Sequence, residues 1–297
     1  MKPAPPAFLG IMLTDRCLLR CRHCLYACSP SRSCDADAER VDADLEDMAR
    51  LGWRHVPIHL GGGEPFLVFE TLRRAVRAAA SRGFTLEFVE TSGAWFADES
   101  CARELLCLLR QEGLRRLLVS ATPFHVCQTS PRRIRRLVSL ARSVFGPRGV
   151  VLERRPRLTL GGRAPRALRG ILPRLPAEAW ECACAEALLE SRRWHVGPDG
   201  RVHTGYCAGL AFPAPQGLES WYRGFRLEDW EVAGRLAEDG LRALIEHAQN
   251  EAGFVPDESG YVSACQLCQE ARTALWRSGR YAELGPDGFY RELEADL

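Results

Sequence analysis

The 297-residue chain carries thirteen cysteines, and their spacing sorts them into groups. Cys17, Cys21 and Cys24 stand as CxxxCxxC within TDRCLLRCRHC, directly after an apolar run. Thiolates are soft ligands for iron and zinc, and loop-borne thiols this close in sequence can converge on one site. Three of them leave a four-iron cluster with one iron free of protein ligation, where a substrate can bind. A zinc site completed by His23 or Cys28 would use the same spacing. A second group lies far downstream: Cys182 and Cys184 in ECACAE, Cys207 in HTGYCAGLAF, and Cys265 with Cys268 in ACQLCQ. A Cys-x-x-Cys pair opening a helix lets both thiols reach one ion, and the helix dipole favours thiolates there. Cys28, Cys34, Cys101 and Cys107 read as structural.

The odd cysteine count and uneven spacing argue against a disulfide framework and for metal or redox chemistry in a reducing compartment. The N-terminal apolar stretch is cut short by Asp15 and Arg16, too soon for a signal peptide, and no run approaches a membrane span; a cytoplasmic protein without a membrane partner is expected. With 46% hydrophobic and 26% charged residues and a formal charge of +2, bulk electrostatics point to no nucleic-acid partner. The run RRIRR (132–136) reads as the solvated face of a helix, without interleaved aromatics for base stacking.

What must position the cysteines is a series of βα units. Strands are expected at 8–13, 55–60, 84–90, 116–121 and 149–154, with a weaker sixth at 157–160, and helices at about 38–51, 67–81, 98–112 and 131–144. The fold class is therefore α/β with a parallel sheet, and its functional residues gather on loops at the carboxyl ends of the strands. After the second strand comes HLGGGEPF, after the third ETSG, and after the fourth SATPFH. Glycines there permit close backbone approach of a ligand. Beyond residue 165 the alternation fails. A hairpin is expected in WHVGPDGRVHTGYC, turned by Pro-Asp-Gly, followed by helices at 227–250 and 264–279, with a domain boundary near 170–178.

CxxxCxxC after the first strand, Gly62-Gly63-Glu64-Pro65 after the second and Thr91-Ser92-Gly93 after the third resemble the radical S-adenosylmethionine superfamily in order and position, over about residues 8–165. The resemblance implies a partial (β/α)6 TIM-type barrel over 1–175, with Cys17, Cys21 and Cys24 holding a 4Fe-4S cluster whose open iron chelates S-adenosylmethionine. It implies that the Gly62–Pro65 backbone contacts the cofactor's amino group, that Thr91, Ser92 and Ser120 lie near its ribose or carboxylate, and that His23 lies near its adenine. Arg163, in GGRAP, resembles a late turn in several related enzymes and is expected to bind a carboxylate of the cofactor or the substrate. The cofactor supplies a 5′-deoxyadenosyl radical that abstracts hydrogen from carbon, so no acid–base triad is needed.

Residues 180–272 resemble a twitch domain, the short form of the SPASM extension. The resemblance implies a small α+β domain over 176–297 with an auxiliary 4Fe-4S cluster on Cys184, Cys207, Cys265 and Cys268, Cys182 being the rival of Cys184. A structural zinc there is the alternative. His125 could orient or deprotonate a substrate, Cys127 could return a hydrogen atom to it, and Glu90 could grip an amine or the ribose. The expected partners are a small-molecule or peptide substrate and an electron donor such as flavodoxin or ferredoxin. The first cysteine standing at residue 17 tilts the expectation toward a small substrate or a separately delivered peptide. Epimerisation or thioether formation is a second enzymatic expectation, and a non-catalytic zinc-binding interaction protein comes from another class.

Overall fold

Alternation decides which face each strand buries. The computed structural model describes residues 1–156 and 158–295. Its strands β1 (Phe8–Met12), β2 (Ile58–Gly61), β3 (Leu86–Thr91), β4 (Leu117–Ser120) and β5 (Val150–Glu153) pair in parallel, each with the next. Leu9, Ile11, Ile58, Leu60, Val89, Leu117 and Val119 join the main core, leaving Gly10, His59 and Phe88 on the other face.

The connecting helices are α1 (Ala38–Arg50), α2 (Phe69–Ser81), α3 (Glu99–Gln111), the single turn α4 (Pro123–Val126) and α5 (Pro131–Phe145). They cover the core face because their apolar residues recur three and four apart: α1 buries Val41, Leu45 and Met48, and α5 buries Ile134, Leu137, Val138 and Ala141. Asp37 and Asp98 start α1 and α3 as N-caps, their carboxylates accepting from the Glu39 and Cys101 backbone N–H groups. Arg132, Arg133, Arg135 and Arg136 are exposed on α5, as read from the sequence.

The sixth parallel strand is not at 157–160. Arg157 lies outside the described residues, and 158–160 are irregular. It is instead β6 (Arg193–Val196), the first arm of the expected hairpin, which docks in parallel on the free edge of β1. Trp194 fixes it there by packing edge-on against Trp53 and Trp221. Strand β7 (Val202–His203) returns antiparallel through the Pro-Asp-Gly turn, where the Gly197 N–H donates to Arg201 O at 2.8 Å. The sheet order is β5-β4-β3-β2-β1-β6-β7. The architecture is thus a mixed α/β, partial TIM-type barrel, unclosed between β5 and β7, and its sheet runs across the boundary expected near 170–178.

Past β5 the chain forms α6 (Ala164–Ala167), α7 (Leu218–Gly224), α8 (Glu231–Glu238), α9 (Gly240–Ala252), α10 (Ala264–Trp276) and α11 (Asp287–Glu294). The single helix expected over 227–250 is broken between α8 and α9. Gly240 sits in the left-handed region at φ 81°, and its missing side chain admits the carbonyl of Cys182, which accepts from the Leu241 N–H at 3.0 Å. Among the described residues no helix is long and apolar enough to cross a membrane.

Candidate metal centres

Parallel strands bring the loops after β1 to β5 to one rim. The loop after β1 is pinned at both ends. The Thr14 hydroxyl donates to Asp35 Oδ1 at 2.6 Å, and buried Asp15 pairs with Arg32 while accepting from the Cys34 N–H at 2.8 Å. Between these pins the Cys17 N–H donates to Ser29 O at 3.0 Å and the Cys24 N–H to Cys21 O at 3.1 Å. The result gathers Cys17, Cys21, Cys24 and Cys28 with Met12 in one buried group. Burial pushes the Cys17 thiol up to about 12 and Cys21 up as well, each also raised by its neighbouring thiols. A bound cation would reverse that preference, since a coordinating thiol is deprotonated. Cys24 is the exception: hydrogen bonding with the Cys28 thiol pulls it down to about 6. Among the described residues, no three His, Cys, Asp or Glu side chains are already drawn to single-ion coordination distances.

The glycine-rich loop after β2 is built into the cysteine loop. The Gly63 N–H donates to Thr14 O at 2.7 Å and the Glu64 N–H to Arg16 O at 2.8 Å. A Cβ on Gly62 would lie 3.0 Å from the Thr14 nitrogen and closer to its carbonyl oxygen, and one on Gly63 would lie 2.5 Å from the Arg16 carbonyl carbon. These glycines are therefore required by loop-to-loop packing. Glu64 turns inward and is fully buried. Its carboxylate accepts from the Thr91 hydroxyl at 2.8 and 2.9 Å, and from the Ser92 hydroxyl and N–H at 2.6 and 3.0 Å. Thr91 and Ser92 thus tie the β3 loop to Glu64. Ser120 likewise donates to Glu90 at 2.8 Å, and burial, with repulsion from Glu153, raises the Glu90 carboxyl.

Burial pushes the Glu64 carboxyl up to about 7, against its bonds from Ser92 and Thr91. A carboxyl raised in the folded state binds more protons than its unfolded counterpart between pH of about 4.5 and 7, so its contribution falls as pH rises through that window. In urea unfolding across pH 4.5–7.5, Glu64→Gln is expected to remove about 2–3 kcal/mol of that decline. Identical pH slopes for the variant and the wild type would show that folding leaves the Glu64 carboxyl unshifted.

The loop after β4 closes over the cysteines. The Arg20 N–H donates to Gln128 Oε1 at 2.8 Å, and exposed Cys127 lies within electrostatic range of Cys21. His23 stacks on Phe124 with centroids 4.5 Å apart and meets His125 edge-on at 4.9 Å. His125 Nδ1 is 2.8 Å from the Thr122 hydroxyl, and burial brings its pKa down to about 4, so the ring is neutral near pH 7. Phe124 was not anticipated from the sequence, because an aromatic in a loop carries no periodic signal.

Arg163 does not reach outward. Its guanidinium donates to the carbonyls of Cys28 at 2.8 Å and Ala27 at 3.0 Å and pairs with Glu292 at 2.8 Å, while its N–H donates to Cys24 O at 3.1 Å. It braces the cysteine loop from behind, and the carboxylate it meets is that of Glu292. Glu292, buried on α11, also accepts from Ser31 at 2.7 Å and pairs with Arg20 at 3.0 Å. Nothing in the sequence marked this residue.

The downstream thiols form a second group. Backbone bonds hold the 182–184 segment on the α8–α9 break, with the Cys184 N–H donating to Leu236 O at 3.3 Å. Ser263 caps α10 by accepting from the Gln266 N–H at 3.0 Å, which places Cys265 in its first turn and Cys268 at the start of its second. Cys182 Sγ and Cys184 Sγ are 3.6 Å apart, Cys184 senses Cys268 and Cys207, and Cys265 senses Cys268 and Cys182. The five thiols thus lie within electrostatic reach of one another, and Cys182 and Cys184 stand side by side. Burial raises Cys184, Cys207 and Cys265, the last two to about 12 and 11.

On the inner face of the sheet, register aligns His203, His195, Gly10, His59 and Phe88 in one row. A Cβ on Gly10 would lie 2.7 Å from His59 Nε2, so the two rings flanking it close over a glycine. Burial brings all three histidines down to about 3, and each Nδ1 is buried without a hydrogen-bond partner. His59 is legible in the sequence as the polar member of an alternating strand.

No family model and no curated protein matches the chain. Among solved structures it is similar to BtrN in complex with AdoMet and 2-DOIA, at 15% identity over 69% of this chain and 74% of that one, with a TM-score of 0.48. It is also similar to anSMEcpe with bound AdoMet, at 12% identity over 91% and 98% of the two chains, with a TM-score of 0.42. The FeFe-hydrogenase maturase HydG from Carboxydothermus hydrogenoformans matches at 12% identity over 97% and 81%, with a TM-score of 0.27. At these values the functional reading rests on the chain's own residues.

Proposed function

We propose that the chain is a radical S-adenosylmethionine enzyme, with Cys17, Cys21 and Cys24 holding a 4Fe-4S cluster. One observation carries the reading: the three-cysteine loop, the GGEP loop and the Thr91-Ser92 loop are bonded into a single unit on one rim of a parallel sheet. A lone zinc knuckle has no need of the second and third loops. When bound, the cluster and S-adenosylmethionine supply one-electron cleavage of the sulfonium and a 5′-deoxyadenosyl radical. The chain's own part is to hold the thiols together, to exclude water from them, and to present a substrate carbon.

We propose that the substrate is held beside the inner face of the sheet. The neutral histidine row there favours uncharged hydrogen-bonding groups, in a small molecule or a peptide. In this reading residues 176–297 carry an auxiliary 4Fe-4S cluster, with ligands drawn from Cys182, Cys184, Cys207, Cys265 and Cys268, and a flavodoxin or ferredoxin delivers the electron. Hydrogen abstraction leading to oxidation at carbon is the favoured outcome. Epimerisation is the second reading, supported by exposed Cys127 beside Cys21. There the Cys127 S–H bond breaks, a substrate C–H bond forms, and the sulfur is re-reduced by one electron and one proton.

The test is iron and sulfide content of anaerobically reconstituted protein, paired with an assay for 5′-deoxyadenosine after addition of dithionite and S-adenosylmethionine. Wild type is expected to hold about eight irons per chain, and Cys24→Ala to lose deoxyadenosine formation. Zinc in place of iron, with no deoxyadenosine from either protein, would leave a metal-binding interaction module instead.

A further inference from the structure

Arg272 is 3% exposed, sits one helical turn after Cys268 on α10, and among the described residues has no carboxylate within ion-pair distance. Its guanidinium donates to Ala208 O at 3.0 Å, to the Tyr290 hydroxyl at 3.2 Å and to Cys268 Sγ at 3.4 Å. The first two partners are neutral. A guanidinium cannot shed its proton, and a buried charge is retained only when it is paired. The remaining partner is the sulfur of Cys268, one of the five downstream thiols. The surrounding wall fixes the geometry, since Tyr290 is itself fully buried, donates to Gly209 O at 2.5 Å and stacks on Trp276 at 5.1 Å.

We propose that Arg272 is the counter-charge of the second centre and sets its reduction potential. It acts through Cys268, which makes it a positioning residue and not a catalytic one. The inference rests on the auxiliary-cluster reading. A cluster held by four thiolates is anionic, and reduction adds one more negative charge. A fixed cation with an N–H···S bond to one ligand stabilises the reduced form more than the oxidised form, so it raises the potential. Net charge and hydrogen bonds to sulfur are the two levers, and Arg272 supplies both.

The test uses the full chain in a Cys24→Ala background, so that the second centre alone is read, with Arg272→Gln and Arg272→Lys compared by iron content and by redox titration followed by electron paramagnetic resonance. About four irons per chain are expected in the background protein. Arg272→Gln is expected to lower the midpoint potential, and Arg272→Lys, which keeps the charge, to stay nearer the parent. Failure of Arg272→Gln to take up iron while Arg272→Lys takes up the parental amount also supports the proposal, because charge and not shape then decides. A parental potential in Arg272→Gln overturns it, as does equal loss of iron from both variants, which is a packing role. Absence of iron from the background protein itself would instead sink the auxiliary-cluster reading.

Discussion

Gly63→Ala is expected to cost about 3–5 kcal/mol and to empty the three-cysteine site of iron. The added Cβ would sit 2.5 Å from the Arg16 carbonyl carbon and 3.1 Å from that of Asp15, with the Arg16 oxygen nearer still. Those atoms belong to backbone, so no rotamer change relieves the overlap. Arg16 O also accepts from Glu64 N–H at 2.8 Å, so any movement of the β1 loop breaks the bond that holds Glu64. Glu64 in turn anchors Thr91 and Ser92, and one methyl group therefore strains three loops. Gly61→Ala is the control. Two residues earlier, its Cβ would meet only Glu90 Cβ and His59 Cδ2 at 3.8 Å, an ordinary contact. Its unfolding free energy should change by less than about 1 kcal/mol. Equal midpoints and equal iron uptake for Gly63→Ala and wild type would show that the β1 and β2 loops are not locked together.

Local pattern made most of the barrel legible. FLGIM, LEFVET and LLVS alternate or run apolar between turn residues, and their strands stand within two residues of the expected positions. The second strand begins later than expected because Trp53–His55 forms a 3-10 turn ahead of it. The sixth strand was assigned to the wrong segment for a non-local reason. Which strand covers the open edge of β1 depends on Trp194 finding Trp53, and no window of sequence contains both. Gly240 also misled, since an isolated glycine inside a helical pattern is usually tolerated, while here the Cys182 carbonyl occupies the space its side chain would need.

The site divides the same way. Motif spacing located the thiols, because cysteines must converge whatever the fold around them. It could not say what Thr91, Ser92 or Arg163 bond to. Each lies in a loop named by the motif, yet their polar groups are engaged by Glu64, by carbonyls and by Glu292. A hydroxyl or guanidinium looks the same in sequence whether its partner is a ligand or a neighbouring loop. Arg272 shows the converse: a residue outside every motif whose isolation from carboxylates among the described residues becomes visible only in three dimensions.

Glu292→Ala is expected to destabilise the chain by about 3–5 kcal/mol and to expose the cysteine loop although the residue touches no thiol. Its carboxylate is shared by Arg163 at 2.8 Å, Ser31 at 2.7 Å and Arg20 at 3.0 Å, and the side chains of both Arg163 and Glu292 are buried. Arg163 carries the effect to the three-cysteine loop through its bonds to the Ala27 and Cys28 carbonyls, on the segment that follows Cys24. Removing one member of a buried pair leaves the other charge desolvated, which costs more than the pair contributes. The expected pH dependence follows. Burial works to raise the Glu292 carboxyl, but the hydroxyls of Ser31 and Ser29 with Arg20 and Arg163 outweigh it and hold the group below its ordinary value. A carboxyl depressed in the folded state gives stability that is full above the unfolded pKa of about 4.5 and is lost as pH falls through the folded one. Acidification of wild type should therefore loosen the same loop that the substitution loosens at neutral pH. Alkylation of Cys17 and Cys21, followed by peptide mass spectrometry at neutral pH, reads this directly. Both are buried in wild type and should react faster in Glu292→Ala, whereas Cys101, exposed on α3, should not change. Unchanged rates at Cys17 and Cys21 would mean that α11 packs beside the cysteine loop without holding it.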